Sequence, residues 1–209
     1  MLVVLSFIVG LIIPAGVVLA AELVDSSLKN PKNASSQTGI RVCGLLPHYP
    51  KKIAKNPVDF DALTRQAMNL FVQELVVSSP AEKQKVTVAI ASIHGEEGKS
   101  TLIEKVSDFL KNYYPEAADK FEFTEIPSLL NNPYPQDSKR AADIHLLLAR
   151  ADRKWSEADS HALKVYRKLV GQKPMLFLNK VRTDIMEDVT GEVPRKRSWL
   201  RAKVKSLLN

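Results

Sequence analysis

Val86–Thr101, VTVAIASIHGEEGKST, is the stretch that decides the fold. An apolar run of strand type (Val86, Val88, Ile90) enters a glycine-containing turn ending Gly98-Lys99-Ser100-Thr101. TLIEKVSDFLKNYY follows, with Leu102, Val106, Phe109 and Leu110 at helical spacing. Strand, turn and helix in that order have the form of a phosphate-binding loop. Backbone N–H groups of the turn and of the helix N-terminus can surround a polyphosphate, Lys99 can neutralise its outer charge, and the Ser100 hydroxyl can ligate Mg2+. The match to G-x-x-x-x-G-K-[ST] is partial, because the first glycine falls on Ile93. The plain alternative, a strand-turn-helix with an exposed lysine, is disfavoured by the order of the flanking elements.

Outward from this stretch, the periodicity predicts a helix over Asp59–Val77, with Leu63, Met68, Leu70, Phe71 and Leu75 on one side. Downstream it predicts strands at Lys120–Ile126, Ile144–Ala149 and Met175–Leu178, and a helix from Ser156 to Val170. Strands alternating with helices imply an α/β fold with a parallel sheet. Ahead of residue 59 only one short apolar patch, Ile40–Leu46, interrupts a stretch rich in Ser, Asn, Pro and Lys, and the breakers Pro47 and Pro50 follow it.

The chain has 209 residues, 45% apolar and 25% charged, enough for one globular domain and an appendage. A single cysteine, Cys43, excludes an intramolecular disulfide and any cysteine-rich metal site. The histidines His48, His94, His145 and His161 show no metal-ligand spacing and read as structural or solvated. The net charge of +7 is unevenly distributed. Ser26–Val58 and Val193–Asn209 each carry six basic residues and no acidic one, so the remainder, eighteen basic against twenty-three acidic, stands near −5. A nucleic-acid binder carries its basic stripe on the folded domain, so no nucleic-acid partner is expected.

The first 21 residues, MLVVLSFIVGLIIPAGVVLAA, are uncharged. As a helix they would span about 31 Å, close to the thickness of a bilayer core, and Gly10, Pro14 and Gly16 are tolerable there. A cleaved signal peptide is the rival reading, since Val18-x-Ala20 resembles a cleavage site, but the apolar run is long for one and no Lys or Arg precedes it. The expected organisation is therefore a transmembrane helix (1–21), a basic juxtamembrane connector (22–58), a cytoplasmic domain (59–192) and a basic amphipathic helix (193–209). The positive charges after the span place the domain in the cytoplasm, on the inner membrane. Leu200, Val204, Leu207 and Leu208 can share the apolar face of the last helix, which either packs on its own domain or meets anionic lipid headgroups.

This ordered set resembles the bacterial polysaccharide co-polymerases, or chain-length determinant proteins, fused to a cytoplasmic tyrosine-kinase domain of the bacterial type. The parts that carry the resemblance are the apolar segment, the connector, Gly44-Leu45-Leu46-Pro47, the helix near 61–75 and the loop ending Glu97-Gly98-Lys99-Ser100-Thr101. Phe121–Leu130, FEFTEIPSLL, looks like the family's second nucleotide motif, with Glu125 at the aspartate position and Pro127 retained. ADIHLLLARADRKW is similar to a further strand ending at Arg150-Ala151, and PMLFLNKV to the Leu-Asn strand that approaches adenine in related ATPases. The resemblance implies a reduced P-loop NTPase-like sheet with flanking helices, and ATP and Mg2+ as cofactors. It makes Lys99 and Glu125 the catalytic candidates, and Gly95, Glu96, Glu97, Gly98, Lys99, Ser100, Thr101 and Asn179 the nucleotide-binding ones. Ser100 and Glu125 are its metal ligands. Its implied partners are the lipid bilayer, the polysaccharide polymerase and export machinery, and further copies of the chain.

The departures bear on activity. The family's Asp-x-Asp strand, expected between the loop and the second motif, is missing from the twenty-six positions that separate Lys99 and Glu125. Glutamate at 125 is a methylene longer than aspartate, and a displacement of about 1 Å can cost about 10²-fold in rate. The family's oligomerisation pattern is absent around Arg65, and no tyrosine follows Tyr166, so a tyrosine-rich tail is absent. Asn179-Lys180 resembles the guanine-reading N-K-x-D, but Arg182 stands at the acidic position, against a GTPase. The expected activity is that of a degenerate kinase or an ATPase. The alternatives are a non-catalytic scaffold, and a membrane-associated ATPase of the deviant P-loop class, which would carry a lysine early in the loop.

Overall fold

A computed structural model describes residues 10, 12–17, 27–50, 52–53, 57–132 and 142–196. Residues 10 and 12–17 are helical and exposed, while the rest of the apolar segment 1–21 and residues 197–209 lie outside the described residues. Among the described residues no helix is long and apolar enough to cross a membrane.

Five strands form one parallel sheet: β1 (Val42–Pro47), β2 (Val86–Ser92), β3 (Phe121–Glu125), β4 (Ile144–Arg150) and β5 (Met175–Val181), in the order β1-β5-β4-β2-β3. Among the described residues of the domain, the helices beside them are α1 (Pro31–Thr38), α2 (Phe60–Ser78), α3 (Lys99–Tyr113), α4 (Pro115–Ala118), α5 (Glu157–Val170) and α6 (Thr183–Thr190). A parallel sheet is covered on both faces, so its strands read as nearly continuous apolar runs. In β4 every residue from Ile144 to Ala149 is buried. Alternate strand residues serve two cores. Val88, Ile90, Leu146, Leu148 and Phe177 pack with α3 and much of α2, whereas Ala89, Ala91, Leu147, Ala149 and Leu178 pack with α1 and α5. The residues expected on the apolar face of α3, Leu102, Val106, Phe109 and Leu110, are all buried. On α2, Leu63, Met68, Phe71 and Leu75 are buried, but Leu70 is exposed on a groove beside β1.

The sequence reading starts the domain at residue 59; the structure carries it back to residue 27. Asn30 caps α1 by accepting from the Asn33 N–H at 2.7 Å, Pro31 fits the first turn, and Gly39 ends it at φ +63°. The stretch read as a connector thus holds a helix and an edge strand, with Leu28, Ala34, Ile40 and Leu45 buried in the core. β1 can enter because Gly44 lacks a side chain: a Cβ there would lie 2.6 Å from the Phe177 ring and 2.8 Å from that of Phe71. The C-terminal boundary also moves, since Arg195 bridges Val58 and the Lys196 N–H donates to the Pro57 carbonyl at 2.7 Å. β3 lies beside β2 at the sheet edge, with Ile90 opposite Glu125, and no strand lies beyond it among the described residues. This agrees with the missing Asp-x-Asp strand.

Candidate functional site

The carboxyl end of β2 and the N-terminus of α3 are joined by Ile93–Gly98. Ile93 is buried in the core, so the departure from the glycine pattern leaves the concave side of the loop clear. Glu96 adopts φ +57° and Gly98 φ +98°, and these left-handed residues curl the backbone. The curl leaves donors unmet. Among the described residues, the backbone N–H groups of Gly95, Glu96, Gly98, Lys99, Ser100 and Thr101 have no protein acceptor, and no side chain caps α3. Successive unpaired N–H groups at a helix start form an anion cradle.

Three candidate side chains meet below this cradle. Lys99 is buried, its Nζ donating to the Ser92 hydroxyl at 3.1 Å and standing 3.4 Å from a Glu125 oxygen. Ser100 donates to the other Glu125 oxygen at 2.8 Å. The Ser92 hydroxyl donates in turn to the His94 carbonyl at 2.6 Å, which fixes the first bend of the loop. Register carries Glu125 there: β3 lies alongside β2, so the last residue of one strand meets the first turn of the helix after the other. Among the described residues no group of three or more His, Cys, Asp or Glu side chains could hold a metal ion. Ser100 and Glu125 alone suit Mg2+, which takes one or two protein oxygens and completes its shell with water and phosphate. The six free N–H groups, the buried ammonium and this oxygen pair fit a Mg2+-bound nucleoside polyphosphate.

Two expected binding residues have other partners. Glu97 turns inward: one carboxylate oxygen accepts the Arg150 N–H at 2.6 Å and the other lies 3.0 Å from the Arg153 Nε. Burial pushes the Glu97 carboxyl above its ordinary range, against the pull of Arg153 and of the Arg150 N–H. Asn179 packs on Gly98, where a Cβ would overlap its Nδ2. That Nδ2 donates to the Glu97 carbonyl at 2.8 Å, while Oδ1 accepts the Lys180 N–H at 2.8 Å. With a bond at each end, Asn179 clamps the loop, and it also lines the adjoining cavity. A cavity of about 660 Å³ opens beside it, lined by Leu46, Pro47, Tyr49, Lys105 and Lys180 among others.

On the opposite flank lies a polar network that sequence reasoning missed. Asp159, fully buried at the start of α5, accepts from the Arg153 Nη1 at 2.7 Å and from the N–H and hydroxyl of Ser156 at 2.7 and 2.9 Å. Its second oxygen meets His94 Nε2 at 2.7 Å. Burial alone would raise Asp159, but Ser156, Arg153 and His94 together hold it below the ordinary carboxylate range. The capping box Ser156-x-x-Asp159 is the one signal in the sequence that points here. His145 is structural, as expected: it is buried against the Tyr166 hydroxyl at 3.1 Å, and burial pushes its pKa down.

No family model and no curated protein matches the chain. Among solved structures, its fold is similar to the kinase domain of Escherichia coli tyrosine kinase Etk, with a TM-score of 0.56 and 12% identity. The similarity covers 82% of this chain and all of that one. At such identity it concerns the fold alone.

Proposed function

We propose that the chain is a membrane-anchored phosphate-loop module that binds ATP with Mg2+ on the cytoplasmic side, with weak or absent tyrosine-kinase activity. The contact of Glu125 with both Lys99 and Ser100, beneath six unpaired N–H groups, carries this reading. The N–H groups of Gly95, Glu96 and Gly98–Thr101 hold the phosphates, and Lys99 balances charge on the outermost one. Ser100 and Glu125 would hold Mg2+ and its waters, and the ion would supply charge neutralisation for the phosphate oxygens. Phosphoryl transfer to a hydroxyl also needs a base, and Glu125 is engaged as a ligand while Glu97 faces the interior. These placements support binding with weak or absent transfer. The membrane anchor rests on the uncharged first 21 residues, and a place in polysaccharide chain-length control and export rests on the sequence resemblance.

Titration calorimetry of the full chain in detergent tests this reading. ATP with Mg2+ binds saturably, and Lys99→Ala lowers affinity by about 100-fold or more, equivalent to about 2.7 kcal/mol. Equal affinity in wild type and variant would remove the assignment. A non-catalytic scaffold is favoured instead if wild type neither binds nor hydrolyses ATP, because Glu125 already neutralises Lys99 without a ligand.

A further inference from the structure

We infer that Arg153 is a positioning residue for the phosphate loop, and that the incoming segment Ser27–Lys29 braces it; the effect on nucleotide affinity rests on the reading above, whereas the effect on the loop does not. The loop is held on the α5 side by two side chains, Glu97 and His94. The Glu97 carboxylate takes the Arg150 N–H, and His94 takes Asp159. Arg153 lies between the two carboxylates, with Nε at 3.0 Å from Glu97 and Nη1 at 2.7 Å from Asp159. Both are buried; the guanidinium hydrogen-bonds Asp159 and faces Glu97 as an ion pair without a hydrogen bond, so one cation compensates two carboxylates that water does not reach. Removing one partner of such a buried set leaves uncompensated charge, which is more damaging than replacing the whole set. Without Arg153, the Glu97 carboxylate would take up a proton or turn outward, and the loop would lose its inner tether. Lysine is a poor substitute, since one ammonium lacks the planar fork that reaches both carboxylates.

The same residue is fixed from behind. Its guanidinium lies over the Trp155 ring, 5.6 Å from the centroid, and its carbonyl accepts the Leu28 N–H at 3.2 Å. Ser27 bridges Lys154 in antiparallel fashion, and Leu28 is fully buried. The described chain therefore enters the domain at the turn that carries Arg153, at the carboxyl end of the sheet where the loop lies. A change in the seating of Leu28 shifts residues 153–154, and through the guanidinium it reaches Glu97 and the Asp159–His94 pair. By linkage, a ligand that orders the loop tightens the seating of Leu28 to the same extent.

The test uses the full chain in detergent, with NMR read without nucleotide and calorimetry with ATP and Mg2+. The Arg150 amide reports the Glu97 tether directly, His94 ring signals report its bond to Asp159, and the Leu147 amide inside β4 serves as the reference. Arg153→Met is expected to speed Arg150 amide exchange about tenfold, shift the His94 ring signals and lower ATP affinity about tenfold, with Leu147 unchanged. Arg153→Lys gives a smaller change in the same direction. Arg153→Met combined with Glu97→Gln restores part of the affinity, because one of the two uncompensated carboxylates is gone, while the His94 signals stay shifted because Asp159 still lacks its guanidinium partner. Leu28→Ala reproduces a fraction of the Arg153→Met spectrum. Should Arg153→Met fail to fold, Arg153→Lys and the double variant carry the test. Unchanged Arg150 and His94 signals in the Arg153 variants would overturn the positioning role. Changes in Leu28→Ala confined to residues 27–29 and 153–155 would overturn the brace. Altered signals in a protein whose wild type does not bind ATP would leave the positioning role standing and remove the nucleotide reading.

Discussion

Gly98 and Asn179 show how tightly the loop is determined at the scale of single residues. Gly98→Ala forces a side chain into φ +98° and into the space of the Asn179 amide. A loss of about 2 kcal/mol is expected in urea unfolding, together with much of the ATP affinity. Glu125→Gln keeps the bond from Ser100 but removes the negative charge beside Lys99. Affinity for ATP without metal is expected to rise and its enhancement by Mg2+ to shrink, which parallel titrations with and without EDTA would show. The two buried carboxylates give opposite pH slopes. Asp159 is held below its ordinary 3.8, so its contribution is present above that value and fades as pH falls through the lower folded one. Glu97 is raised above its ordinary 4.5, so stability declines as pH climbs from 4.5 towards the higher folded value. Urea midpoints between pH 3 and pH 7 are expected to lose the acid limb in Asp159→Asn and the decline above 4.5 in Glu97→Gln.

Among the elements, β1 is the most sensitive to a small change. Gly44→Ala places a methyl 2.6 Å from Phe177, and overpacking of this kind costs about 1–3 kcal/mol; thermal unfolding is expected to move down accordingly. β1 is also where the sequence was hardest to read. Its six residues include a glycine and end in a proline, its partner is β5 far along the chain, and a strand packed on both faces shows no alternation. α1, PKNASSQT, is polar and held by its caps, so no apolar period announces it. By contrast β2, α3 and β3 were legible, because each carries a local pattern and the motif fixes their order. Parallel register brings Lys99, Ser100 and Glu125 together; the loop motif singles out the first two in the sequence, and the resemblance of FEFTEIPSLL to a second nucleotide motif singles out Glu125. Asn179 and Arg153 act through contacts made only in the folded chain, and nothing near them in sequence distinguishes a clamp from a surface residue.

The charge distribution and the connectivity are properties of the whole molecule. If the uncharged first 21 residues span the bilayer, the full chain remains in the membrane pellet after alkaline carbonate extraction, which strips proteins held by basic residues alone. Recovery in the supernatant would instead favour a peripheral attachment. The sheet order has a kinetic side as well. Among the described residues the N-terminal strand, Val42–Pro47, pairs only with the C-terminal one, Met175–Val181, so its edge stays open until residues 175–181 are made. Long-range parallel pairing of this kind is slow to form and exposes strand edges on the way. During synthesis the exposed β1 would have to be shielded while the remaining strands are made. A nascent chain stalled before residue 175 should therefore bind holdase chaperones, and release of the C-terminal strand should end that interaction.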